Sequence, residues 1–136
     1  YAGVSFAVMD GFIACWNTKF TYDLIRPETY INLYIDNKWV PYLQTPPFPE
    51  YSSAHSTISN ASATVLTNIF GDNTAFIDNT ERCWGWPDRK FESVKDAAQE
   101  AGHSRMYGGI HYREAFEEGL KEGERIGEFI FSKLKQ

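Results

Sequence analysis

From Gly3 to about Phe20, apolar residues recur every three or four positions. Val4, Ala7, Val8, Phe12, Cys15 and Trp16 form one stripe that runs on to Lys19, and that period predicts a helix. Pro27 suits the first turn of a second helix, from Glu28 to about Asp36, because its fixed φ and missing N–H cost nothing there. The stretch from Val40 to Glu50 holds Pro41, Pro46, Pro47 and Pro49 and reads as an extended, ordered loop. A third helix is expected from about Ser56 to Phe70, closed by Gly71, with Ser59, Ala61, Ser62 and Ala63 small enough to let neighbouring helices approach. Residues 72 to 92 read as a loop whose Trp84 and Trp86 would pack onto the bundle. Ser93 followed by Asp96 resembles a capping box and opens a fourth helix, from Val94 to about Tyr107. Gly108-Gly109 breaks it, and a last helix runs from about Tyr112 to Leu134. No strand-period pattern of useful length is present, so the fold class expected is all-α, a helical bundle without internal repeats.

The chain has 136 residues, of which 43% are hydrophobic and 16% aromatic, enough for one domain with a real core. Because it opens directly on a helical pattern, the expectation is the C-terminal part of a larger helical domain, completed by an upstream segment or a second chain. No stretch is long and apolar enough to span a membrane. The formal net charge of −5 gives no global attraction for nucleic acid. Cys15 and Cys83 could form one disulfide or none. Three histidines without ligand spacing argue against a zinc site, and His103 reads as a surface residue. The alternating charges from Glu117 to Arg125 read as a solvated helix face.

Three segments carry candidate chemistry. Lys19 and Arg26 stand seven residues apart, so they share a face if the helix continues and can still converge if it breaks before Pro27. Ser53-Ala54-His55 sits at the mouth of the third helix, where unpaired N–H groups and the dipole favour an anion, although Ser52, Ser53 and Ser56 also suit plain capping. Ser104-Arg105 is followed by the double glycine and His111, a turn that would return His111 towards the Arg105 fork of donors. Singly, each has an ordinary structural explanation.

Taken in order, Lys-x6-Arg-Pro, Ser-x-His and Ser-Arg-x5-His resemble the signature of the type 2 phosphatidic acid phosphatase and vanadium haloperoxidase superfamily. The resemblance implies one pocket for phosphate or vanadate. It assigns Lys19, Arg26 and Arg105 to the anion's equatorial oxygens, Ser53 and the Ala54 N–H to further hydrogen bonds, His111 to direct ligation of vanadium or phosphorus, and His55 to acid–base work. Three departures stand out. Ala54 replaces a usual glycine, Ser52 a usual proline, and Ala115 occupies the place where many members carry an Asp that orients the last histidine. Glu114, Glu118, a backbone carbonyl or an upstream group are left to do that task. Trp16 and Phe48 match aromatic halide walls in chloroperoxidase-like bacterial members, although either would also bury well in any bundle.

The resemblance implies, first, a haloperoxidase in which vanadate is the cofactor, His55 takes the proton of hydrogen peroxide, Lys19 polarises the bound peroxide, and halide is oxidised. An acid phosphatase is the alternative: it would need no cofactor, His111 would attack a phosphomonoester and His55 would protonate the leaving alcohol. A degenerate phosphate-binding member is the third reading. A periplasmic or secreted location is implied by the resemblance alone.

Overall fold

The computed structural model describes residues 1–134. Five α-helices dominate: α1 (Ala2–Tyr22), α2 (Pro27–Tyr34), α3 (Ala54–Phe70), α4 (Val94–Tyr107) and α5 (Arg113–Leu134). The expected bundle is thus present, with each expected helix within two residues of its start. The loop from 72 to 92 departs from expectation. It contains two short antiparallel strands, β1 (Phe76–Asp78) and β2 (Arg89–Phe91), with Phe76 opposite Phe91. Each strand has only three residues, too few for an alternating pattern to stand out. Trp84 and Trp86 are exposed at 77% and 66% and do not pack onto the bundle as expected.

Helix α3 is the centre, packing against α1, α4 and α5. Its N-cap is Ser53, whose Oγ accepts from the Ser56 N–H, and Gly71 closes it at φ 99°. Ser93 Oγ likewise accepts from the Asp96 N–H to start α4, as expected. The core cluster joins Ala7 of α1, Ala61 and Val65 of α3, and Ile130 of α5. Helix α1 buries Gly3, Ala7, Gly11, Cys15 and Lys19, a row of small residues ending in a cation. Val8 and Phe12, expected in the stripe, stay exposed, as do Phe6, Met9, Ile13 and Phe20. The small row wins the interior because α3 lies close: a Cβ on Gly11 would touch the Ile58 backbone.

The tightest seam runs between α3 and α5. Gly119, Gly123 and Gly127 are spaced by four, and all are buried. A Cβ added to Gly123 would lie 2.3 Å from the Thr57 carbonyl oxygen and 2.9 Å from the Ala61 nitrogen. These obstacles are backbone, so relief requires the helices to part. Gly123→Ala should therefore destabilise the fold by about 1–3 kcal/mol despite alanine's better helix propensity. Denaturant unfolding measures this, and a neutral or stabilising result would contradict the close approach.

Candidate active site

The segment from Phe48 to Ser53 lies between α1, α2 and α5, and its main chain gathers the buried cations. Lys19 is wholly buried, and its Nζ donates to the carbonyl oxygens of Pro49 (2.9 Å), Glu50 (2.9 Å) and Ser52 (2.5 Å). An ammonium has three hydrogens, and these three acceptors use them all. Burial lowers the Lys19 pKa to about 8, with Arg26 adding repulsion and Glu50 and Glu122 opposing. Helix α1 does break before Arg26, at Asp23 in the left-handed region. Arg26 nevertheless reaches the same segment, its Nε donating to Phe48 O (2.9 Å) and Nη2 to Pro49 O (3.3 Å). Its Nη1 donates to Ile110 O (2.8 Å) and lies 3.1 Å from His111 Nε2. The Phe48 ring caps both cations, 5.3 Å from Lys19 Nζ and 5.1 Å from Arg26 Cζ.

His111 follows the turn at Gly108-Gly109, where Gly109 adopts φ 78° and the Ile110 N–H returns to the Arg105 carbonyl. That positive φ suits glycine. The turn brings Arg105 and His111 into one cavity, as expected. His111 Nδ1 lies 2.6 Å from Glu50 Oε1, and the Tyr112 N–H donates to the same oxygen at 3.0 Å. A guanidinium only donates, so the His111 Nε2 beside Arg26 is the acceptor and Nδ1 carries the proton. Burial holds the His111 pKa below its usual 6.5, outweighing Glu50, which pulls the other way.

Glu50 therefore corrects the expected candidates. Glu118 is turned to Lys121 at 2.7 Å, and Glu114 is exposed on the first turn of α5. Glu50 escaped sequence reading because it lies 61 residues from His111, in a proline-rich loop with no periodicity to aim its side chain. Glu122 was missed too. It lies on the helix face read as solvated, yet accepts from Thr18 (3.0 Å), Ser52 (2.7 Å) and Thr57 (3.2 Å). His103, expected at the surface, is half-buried and stacks on Phe116, with ring centroids 4.1 Å apart. Cys15 and Cys83 are both free.

The cavity, about 320 Å³, is lined by Trp16, Phe48, Ala54, His55, Arg105 and His111, with Phe12, Ile58 and Ile110 among its apolar walls. Trp16 stacks on Phe12 at 3.9 Å and tilts against Phe48 at 5.1 Å. His55 is exposed at this cavity, and its pKa is lowered, first by desolvation and then by Arg105. Arg105 Nε is buried without a partner among the described residues. Lys19, Arg26 and Ser53 lie behind the lining, with Ser53 Oγ engaged as the α3 N-cap.

A tetrahedral oxyanion fits this donor set. The partnerless Arg105 Nε, the acceptor Nε2 of His111 and the two cations behind it are complementary to an anion that also takes a nitrogen ligand. The charge on Lys19 gives a pH signature. The ammonium is charged below a pKa of about 8 and loses its proton above it. Both imidazoles titrate below their usual 6.5 and stay neutral in that range. Sulfate, whose own charge is constant there, should bind about tenfold more weakly at about pH 9 than at about pH 7. Calorimetric titration measures this, and an affinity that is flat or rising with pH would contradict it.

A family profile, the VCPO second helical-bundle domain, matches residues 1–38 and 32–136. Among solved structures, the chain is similar to the first bacterial vanadium-dependent iodoperoxidase, with TM-score 0.92 and 56% identity over 96% of this chain and 32% of that one. The holo and apo forms of a bacterial vanadium-dependent chloroperoxidase give TM-scores of 0.80 and 0.79 at 17% and 18% identity. They are covered over 34% and 35% of their length and 96% of this chain, and they show the fold alone. The chain thus spans about a third of the length of each of these proteins. No curated protein matches. Fold and sequence together define a vanadium haloperoxidase-like protein. Within that class, the chain belongs to the VCPO second helical-bundle domain family.

Proposed function

We propose that the protein carrying this chain is a vanadate-dependent haloperoxidase that oxidises iodide with hydrogen peroxide. The observation that carries the reading is the cavity where Trp16, Phe48, His55 and Arg105 meet a His111 whose Nε2 is an acceptor. His111 would hold vanadate through Nε2, Arg105 and the Ala54 N–H would face its oxygens, and Lys19, Arg26 and Ser53 would act from behind the lining, Lys19 through its charge because its three hydrogens are taken by carbonyls. When bound, vanadate supplies the Lewis-acid centre that activates peroxide towards halide.

The chain's own groups have distinct tasks in this reading. Lys19, Arg26 and Arg105 offset the anion's charge, and Arg105 does so with a donor that has no partner among the described residues. His55, neutral at neutral pH through desolvation and its arginine neighbour, takes a proton from the incoming peroxide and later returns it to the departing oxygen. Trp16, Phe12 and Phe48 exclude water from the halide. Iodide is the halide proposed because it sheds its hydration most readily against an apolar wall, and because the 56%-identical relative is an iodoperoxidase. It gives up an electron pair, peroxide is reduced, and a proton is consumed.

The test is the full-length protein loaded with orthovanadate and assayed with peroxide for iodide and bromide oxidation. Activity that needs vanadate and favours iodide is expected. His111→Ala should abolish vanadate retention, whereas His55→Ala should keep binding and lose about 10²–10⁴ in turnover. Equal loss of binding in both variants would contradict the division of roles. Hydrolysis of a phosphomonoester inhibited by vanadate, with no halide oxidation, would favour the phosphatase alternative.

A further inference from the structure

We propose that Glu50 is the positioning residue of the site: it fixes His111 in the Nδ1–H tautomer, which keeps Nε2 an unprotonated acceptor, here of Arg26 Nη1, and the ring atom an incoming anion would take over from that guanidinium. The inference rests on the function proposed above for what that lone pair serves, but its geometric basis is independent of it. Glu50 is 1% exposed, and its Oε1 takes both the His111 Nδ1 bond at 2.6 Å and the Tyr112 N–H bond at 3.0 Å. One oxygen thus holds the ring and the main chain just after it, which fixes the ring's rotation as well as its tautomer.

The carboxyl is itself held from its backbone. The Glu50 N–H donates to Leu24 O at 2.9 Å, and the Glu50 carbonyl accepts from Lys19 Nζ at 2.9 Å. One residue therefore couples an anion-site cation to the ligating imidazole through its main chain and side chain. The residue four positions after His111 cannot compete, because Ala115 has no polar side chain and its carbonyl accepts from the Ser53 N–H. Arg26 Nη1, at 3.1 Å from Nε2, is a donor and agrees with the same tautomer from the other side of the ring.

Both Glu50 bonds end on one oxygen, so an amide oxygen can replace it while an alkyl group cannot. Glu50→Gln and Glu50→Leu in the full-length protein separate positioning from packing. Two-bond 1H–15N spectra of the anion-free protein read the His111 tautomer, and titrations with orthovanadate and inorganic phosphate read affinity. The wild type and Glu50→Gln should show protonated Nδ1 and unprotonated Nε2. Glu50→Leu should show mixed tautomers and bind both anions about 10–100-fold more weakly, with Glu50→Gln recovering most of the loss. A wild-type His111 protonated on Nε2 overturns the proposal whether or not the leucine variant folds. So does a folded Glu50→Leu protein that keeps the wild-type tautomer, or a Glu50→Gln protein that keeps it yet binds as weakly as Glu50→Leu. Failure of the wild type to bind either anion would instead undermine the haloperoxidase reading and leave the tautomer measurement standing.

Discussion

The site depends on a fully buried ammonium held by three main-chain carbonyls. Burying a cation is costly unless every donor is met, and here each hydrogen of Lys19 has an acceptor. The acceptors belong to Pro49, Glu50 and Ser52, so meeting this requirement fixes the segment that leads into α3. That segment also supplies the aromatic cap Phe48, the carboxyl of Glu50 and the helix cap Ser53. Carbonyl dipoles solvate the ammonium without cancelling its charge, which is why the region remains suited to an anion.

The surrounding groups differ in how far the protein already satisfies them. Lys19 and Arg26 are bound to carbonyls, whereas Arg105 keeps a buried nitrogen without a partner among the described residues. His111 is enclosed and bonded on both ring nitrogens, while His55 stands open at the cavity. One imidazole is thereby fixed and the other left open to solvent.

Much of this was legible in the sequence because it is local. Helix periodicity, the Ser93 cap, the Gly71 stop and the Gly108-Gly109 turn all depend on neighbours a few residues apart. The convergence of Lys19, Arg26, Arg105 and His111 was legible only through motif order, since no local pattern joins α1 to α5. Glu50 and Glu122 stayed hidden for the same reason: their partners lie on other elements, and a carboxylate on a polar helix face looks solvated until the facing hydroxyls are known. The exposed apolar side of α1 departs from the stripe its period predicts because apolar residues there outnumber the small ones that α3 admits.

The glycine row on α5 has a consequence beyond packing. His111 stands two residues ahead of α5, and the Ala115 carbonyl on that helix's first turn accepts from the Ser53 N–H at the start of α3. The distance between the two helix axes therefore sets how deep the imidazole sits relative to the serine. The placement of this imidazole is inherited from missing methyl groups as far along the helix as Gly127, so the geometry of the cavity is a matter of interhelical spacing before it is a matter of any side chain that lines it.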